Sequence, residues 1–246
     1  MSGQTVKLII EYEGTAFSGW QVQNNARTIQ EAIEEALRKI TGKNIRITGA
    51  GRTDAGVHAL GQVAHFSWDG CLPLSAFHHG LNGELPAVIR ILHAEETSPE
   101  FHARFDAVSR TYRYVISRRE RAVGHCLSWY PRFEFEIAPM QRAALCLPGK
   151  HHFESFCKSG SQETDCLSEV YEASWRETAE YVIFEISAIR FFHNMVRILI
   201  GTMLEIGSGK RPAEDLMRIL NARDRSEAGP TVPPHGLYLV RIDYKK

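Results

Sequence analysis

No two of the five cysteines stand as a CxxC pair. Cys71, Cys126, Cys146, Cys157 and Cys166 are scattered and odd in number, which fits reduced thiols in a cytosolic protein better than a disulfide framework. No segment approaches the roughly 18 apolar residues of a membrane span. The opening stretch, "MSGQTVKLIIEYEG", has too short an apolar run for a signal peptide. Eleven histidines are present, but none stands in HExxH or HxH spacing or in a Cys/His run with metal spacing, so no metal site is expected. There is no low-complexity tract and no net charge: 29 basic residues balance 29 acidic ones. A nucleic-acid partner would therefore have to be met by a local patch rather than by the charge of the whole chain.

What is there is a globular chain. Its 246 residues are 43% hydrophobic, enough for one large domain or two small ones. Residues 6–12, "VKLIIEY", read as a strand, and residues 28–42, "TIQEAIEEALRKITG", as an amphipathic helix. In that helix Thr28 and Glu31 have capping-box spacing, and Ile29, Ile33, Leu37 and Ile40 share a face. Strands are expected at 45–48, 62–68 and 87–96, with a helix at 73–82. The order is β-α-β-β-α-β, the split-βαβ pattern.

The second half repeats it. A strand is expected at 110–118 and a short helix at 139–147. Strands at 169–177 and 181–190 flank a tight turn, helices follow at 191–207 and 212–222, and a closing strand at 237–244. The expected class is α+β: two similar split-βαβ halves with antiparallel sheets flanked by helices and an active-site cleft between them. The expected division is residues 1–105 and 106–246.

Three stretches carry chemistry. The first is "GAGRTDAGVHALGQ", residues 49–62, with Asp54 among small residues. A dinucleotide loop would need GxGxxG opening a helix, and Asp54 takes the third glycine's place; a P-loop would need GK[ST], which is absent. Asp54 is then either a turn residue capping a backbone donor or a catalytic acid. A loop this long between strands favours function.

The second stretch is the 191–207 helix, apolar almost all round, with Arg197 in its middle and His193, Arg197 and Gly201 at intervals of four. A buried guanidinium needs an acid; Arg197 either snorkels to solvent, pairs with a nearby Glu, or faces the Asp54 loop. The third is "RTYRYVISRRER", residues 110–121, where Tyr112 and Tyr114 sit on one face of a strand among arginines. It is either a solvated edge strand or a surface for an RNA backbone and a stacked base.

Taken with four further stretches, these resemble a known family. "YEGTAFSGWQVQ" (12–23), "TIQEAIEEAL" (28–37), "GAGRTDAGVHALGQVAHF" (49–66), "LNGELP" (81–86), "FHARFDAVSRTYRY" (101–114), "FFHNMVRILIGTML" (191–204) and "AGPTVPPHGLYL" (228–239) run in the order of the tRNA pseudouridine synthase A (TruA) family. The resemblance covers essentially the whole chain. It implies isomerisation of uridine to pseudouridine at positions 38, 39 and 40 of the tRNA anticodon stem-loop, by a cytoplasmic homodimer with no metal or cofactor and no membrane partner.

In this resemblance Asp54 is the catalytic aspartate and Arg197 its basic partner. Arg52 clamps RNA, Tyr112 stacks on the target base, and Leu237 lines the pocket. Gly49, Gly51 and Gly56 let backbone approach the nucleotide. The target base must leave its stack, at a cost of a few kcal/mol.

Two features depart from the family pattern: Ala87 or Val88 stands where an acid is usual, and residues 118–135 match no motif. Two rival readings are a non-catalytic RNA-binding module and a metal-dependent hydrolase. The Asp54–Arg197 constellation argues against the first, and the missing ligand spacing against the second.

Overall fold

The computed structural model describes residues 4–158 and 165–245. They divide into two compact units. One runs to Val108 and takes up the chain again from Tyr238; the other is Ser109–Leu237.

In the first unit β1 (Gln4–Tyr12) is flanked antiparallel by β3 (His58–Trp68) and β4 (Ile89–Thr97). The other edge of β3 carries the short β2 (Thr48–Gly49) at His65 and Ala64, and β9 (Leu237–Tyr244) at His58 and Ala59. Val6, Leu8 and Ile10 alternate along β1 and are wholly buried, as one apolar face of a strand requires.

The helix α1 (Ile29–Thr41) buries Ile29, Ile33 and Leu37. The Thr28 hydroxyl accepts from the Glu31 N–H at 3.3 Å, and Gly42 closes the helix in the left-handed conformation at φ 70°. The first end is therefore set by the residues that the sequence marks, and the second by a glycine that takes the left-handed conformation. Residues 73–82 are helical in part: a π-helical turn, Ala76–Gly80, runs into the single turn α2 (Leu81–Glu84).

The second unit repeats the order strand, helix, hairpin, helix. Here β5 (Ala107–Ser117) pairs antiparallel with β8 (Tyr181–Ala188), and β8 with β7 (Leu167–Glu177). The helices are α3 (Ile137–Ala144), α4 (Met195–Gly207) and α5 (Asp215–Ala222). The β7–β8 turn is tied by Thr178, whose hydroxyl accepts from the Tyr181 N–H at 3.0 Å. The α+β class with mostly antiparallel sheets is therefore present.

Four details differ from the sequence reading. Residues 45–47 are not strand, because α1 takes their backbone groups: the Ile47 N–H donates to Glu34 Oε1 and the Ile47 carbonyl accepts from Gln30 Nε2. An unforeseen strand β6 (Gly149–His152) pairs with β7. The β3–β9 pairing is parallel, and residues 238–245 group with the first unit rather than with the half that precedes them.

Helix α4 starts four residues later than its apolar pattern. Asn194 is left-handed, at φ 64°, and the His193 carbonyl accepts from the Lys158 N–H at 3.1 Å. His193 thus lies outside the helix and shares no helical face with Arg197.

Candidate active site

Within the first unit, the loop that carries Asp54 is held at almost every residue. Gln62 donates from Nε2 to the Gly51 carbonyl at 2.8 Å. The Thr53 hydroxyl meets the Tyr12 hydroxyl at 2.7 Å, and the Thr53 carbonyl accepts from the Trp20 N–H at 3.1 Å. The Asp54 carbonyl accepts from Val57 N–H, and Gly56 N–H donates to Phe17. These bonds fix the backbone on either side of Asp54, whose side chain is half-buried, while Arg52 beside it is exposed. A carboxylate fixed this way keeps its geometry as a substrate arrives, which is what a reacting group requires.

The "YEGTAFSGW" stretch supplies this support. Gly19 lies at φ 90°, and a Cβ there would stand 2.5 Å from the Thr53 carbonyl oxygen. Tyr12, Phe17, Gly19 and Trp20 are site residues that the sequence does not mark one by one, although their stretch stands out. The signal that could have found them is the density of Gly and aromatic residues just after β1.

The glycines of the Asp54 loop differ in their reasons. A Cβ on Gly49 would lie 2.5 Å from Trp20 Nε1, so the indole occupies its open face. Gly56 adopts φ 78°, which glycine alone takes without strain. Gly51 faces open space.

In the second unit, Arg197 lies in the first turn of α4 and is half-buried. Its Nε donates to the Val232 carbonyl at 2.8 Å and its Nη1 to Asn194 Oδ1 at 2.9 Å. The helix cap and the 228–232 segment together aim the guanidinium.

Tyr112 is half-buried on β5, its ring edge-to-face with Phe191 at 4.9 Å. Tyr114, two residues on, is fully buried and donates to the Pro233 carbonyl at 2.8 Å. Burial raises its hydroxyl pKa well above the ordinary tyrosine value, with the Arg197 charge opposing, so Tyr114 stays protonated and braces residue 233. The two tyrosines read together in the sequence thus have separate roles. Leu237 is buried at the start of β9.

The arginines of β5 also separate. Arg113 lies directly across from Glu185 and pairs with it at 2.9 Å, so its charge is matched within the sheet. Arg110 donates from Nη1 to the Ile189 carbonyl at 2.6 Å. Among the described residues no group of three or more His, Cys, Asp or Glu side chains is placed to hold a metal ion.

A family model described as tRNA pseudouridine synthase matches residues 8–106 and 143–245. The chain belongs to the tRNA pseudouridine synthase family. Among its relatives are proteins named tRNA pseudouridine synthase A. The one from Thermoanaerobacter sp. (strain X514) is 38% identical, over 98% of this chain and 100% of the relative. The Geobacter sp. (strain M21) protein is 41% identical over 98% and 99%, and the Geobacillus kaustophilus (strain HTA426) protein 42% over 98% and 95%. The chain is therefore similar to these enzymes from end to end. The family model passes over residues 107–142, which include the 118–135 stretch that matches no motif. Members of the family are isomerases that convert uridine to pseudouridine.

Proposed function

We propose that this chain isomerises uridine to pseudouridine in the tRNA anticodon stem-loop, at positions 38, 39 and 40, with Asp54 as its catalytic carboxylate. The observation that carries this reading is the Asp54 loop. Its backbone is held by Gln62, Trp20 and Phe17 and its Thr53 hydroxyl by Tyr12, in a chain whose length matches tRNA pseudouridine synthases. A binding module gains little from an acid fixed in an RNA groove, because the partner is a polyanion.

The reaction is internal to the nucleotide. The bond from N1 to C1′ breaks, the uracil turns, C5 bonds to C1′, the C5 proton leaves and N1 takes up a proton. No oxidant, reductant or second substrate enters the balance. Asp54 supplies the anion for bond breaking, and Arg197 is its electrostatic partner. Tyr112 offers a ring face to the flipped base, Arg52 holds the RNA backbone, and Leu237 lines the pocket. The same reading has the chain working as a homodimer in the cytoplasm. No helix among the described residues is long and apolar enough to cross a membrane.

The deciding experiment is tritium release from tRNA labelled at uridine C5. Isomerisation releases the label; binding alone and phosphodiester hydrolysis retain it. A tRNA that is bound tightly but keeps its tritium through long incubation would leave only the binding-module reading.

Three variants probe the roles. Tyr112→Phe is expected to keep tRNA affinity and slow turnover, because the stacking face survives and the hydroxyl is lost. Tyr112→Ala should damage both, since base–aromatic stacking is worth about 1–3 kcal/mol. Normal turnover by the alanine variant would reduce Tyr112 to a packing residue against Phe191.

Charge removal at Arg104 or Arg110 should weaken tRNA binding and flatten the plot of log K against log[salt] by about 0.7–0.9 for each phosphate no longer neutralised. Arg113 serves as the comparison, because Glu185 already matches its charge. Unchanged slopes at Arg104 and Arg110 would take both out of the RNA footprint. In a cycle of Asp54→Asn and Arg197→Met, stability effects should depart from additivity by about 0.5–3 kcal/mol if the two residues act as one unit. Strict additivity would end the pairing.

A further inference from the structure

We propose that Cys157 and Cys166 form a site of reversible oxidation, closing to a disulfide that fastens the chain segment leading into α4. The proposal rests on the second unit alone and is independent of the reaction assigned above.

Cys157 follows the short 3-10 turn Glu154–Phe156, and Cys166 immediately precedes β7. Their sulfurs stand 3.0 Å apart. The local frame holds them there: Cys157 Sγ also donates to the Phe153 carbonyl at 3.1 Å, while the Phe153 N–H donates to the Cys166 carbonyl at 2.9 Å. A disulfide has its sulfurs about 2.05 Å apart, so closure asks for a shift of about 1 Å. The other three cysteines, Cys71, Cys126 and Cys146, are exposed or half-exposed. A metal ion is the alternative use for two adjacent thiols, but among the described residues no third ligand group joins them.

What the pair would fasten is visible in the bonds on either side. Next to Cys157, the Lys158 N–H donates to the His193 carbonyl. Next to Cys166, the Leu167 carbonyl accepts from Arg190 Nε at 2.8 Å, and the Ser168 hydroxyl donates to the Arg190 carbonyl at 2.7 Å. Asp165 adds an ion pair to Arg190 at 3.6 Å. Two arms of chain thus grip residues 190–193 from two directions, and the two sulfurs are where the arms meet. Helix α4 begins at Met195, and Arg197 follows two residues on.

The oxidant is hydrogen peroxide. One thiolate attacks a peroxide oxygen, forming a sulfenic acid and releasing water. The second sulfur then displaces the sulfenic oxygen as a second water, and the S–S bond forms. Two electrons pass from the sulfurs to the peroxide, and the two thiol protons end in water. A dithiol reverses the step by thiol–disulfide exchange. Cys157 and Cys166 are only 5% and 3% exposed, so a small oxidant suits the site and a protein disulfide does not.

The test uses the full chain, reduced with dithiothreitol, freed of it, treated with hydrogen peroxide and alkylated. Peptide mass spectrometry should find Cys157 joined to Cys166, with Cys71, Cys126 and Cys146 forming no link to either, and dithiothreitol should restore both thiols. The oxidised chain should melt higher by roughly 5 °C, as expected for closing a short loop, and amide exchange at residues 190–194 should slow. Cys71→Ala should keep the link, the melting rise and the slowed exchange. Cys166→Ala and Cys166→Ser, each checked for folding by circular dichroism, should lose all three. Sulfinic acid on Cys157, a link to another cysteine, or a link that leaves exchange at 190–194 unchanged would each overturn the proposal.

Discussion

Asp54→Asn is expected to abolish tritium release from C5-labelled tRNA while leaving tRNA binding within a few-fold of the parent. The substitution keeps the shape and some of the hydrogen-bonding capacity of the side chain and removes its negative charge. Loss of a group that acts directly on the reacting atoms lowers kcat by several powers of ten: in a serine protease the figure is about 10⁶. A fall on the order of 10⁴ or more is expected here.

Binding should survive for two reasons. Affinity for a polyanion comes mostly from basic side chains on phosphates, which an acid does not supply, and deleting a negative charge next to a polyanion removes repulsion. Folding should survive too, because the loop is held through the Gly51, Thr53, Asp54 and Gly56 backbones rather than through the carboxylate alone. Residual activity within tenfold of the parent would exclude Asp54 as the reacting group. Parallel loss of binding, activity and stability would assign it to the architecture of the loop.

The second large effect belongs to Gly201. A Cβ added there would lie 1.8 Å from the Pro230 carbonyl oxygen and 2.9 Å from its carbon. Both are backbone atoms, so no side chain can swing aside. The 228–232 segment is fastened to α4 on both sides of the clash: Gly229 N–H donates to the Thr202 hydroxyl at 2.9 Å, and Val232 N–H to the Arg197 carbonyl.

Overpacking into a well-filled site typically costs about 1–3 kcal/mol. Gly201→Ala should lie at or above the top of that range, since the 228–232 segment must move as a body. At about 2–4 °C per kcal/mol for a chain of this size, the melting temperature should fall by about 6–12 °C. The same displacement carries away the Val232 carbonyl that receives Arg197 Nε, so turnover should fall in whatever fraction stays folded. Gly83→Ala, in the short helix α2 with nothing within 4 Å of the added carbon, is the control and should be neutral or slightly stabilising. Equal melting temperatures for the two variants would mean that the 228–232 segment does not rest on α4.

The legible parts of the fold were those set by neighbours in the chain. The ends of α1 follow from Thr28, Glu31 and Gly42, and the β7–β8 turn from residues within four positions of one another. The misread parts were decided at a distance. Ile47 looks like strand in a window of its own, but two side chains of α1, thirteen and seventeen positions away, take its backbone groups. The apolar run into α4 predicts an earlier start, yet Asn194 turns left-handed and Lys158 claims the His193 carbonyl. No local pattern announces that β9 runs parallel to β3.

The candidate site divides in the same way. Asp54 stands out because a lone acid among glycines is odd in itself. Trp20 and Tyr12 do not, because an aromatic after a strand is ordinary until its partner on the loop is seen. Arg113 has the look of a phosphate-binding arginine until its register with Glu185 is known.

The return of β9 to the first unit has a consequence during synthesis. The edge of β3 at His58 and Ala59 is filled by residues that follow the whole of Ser109–Leu237 in the chain. At about 5–20 residues per second, the ribosome exposes that edge for roughly 6–26 s before the strand that covers it emerges. For that interval the nascent first unit carries an open strand edge, a template for pairing with any neighbouring chain. Polysomes, which hold many copies of the same unfinished unit close together, are where that hazard is greatest.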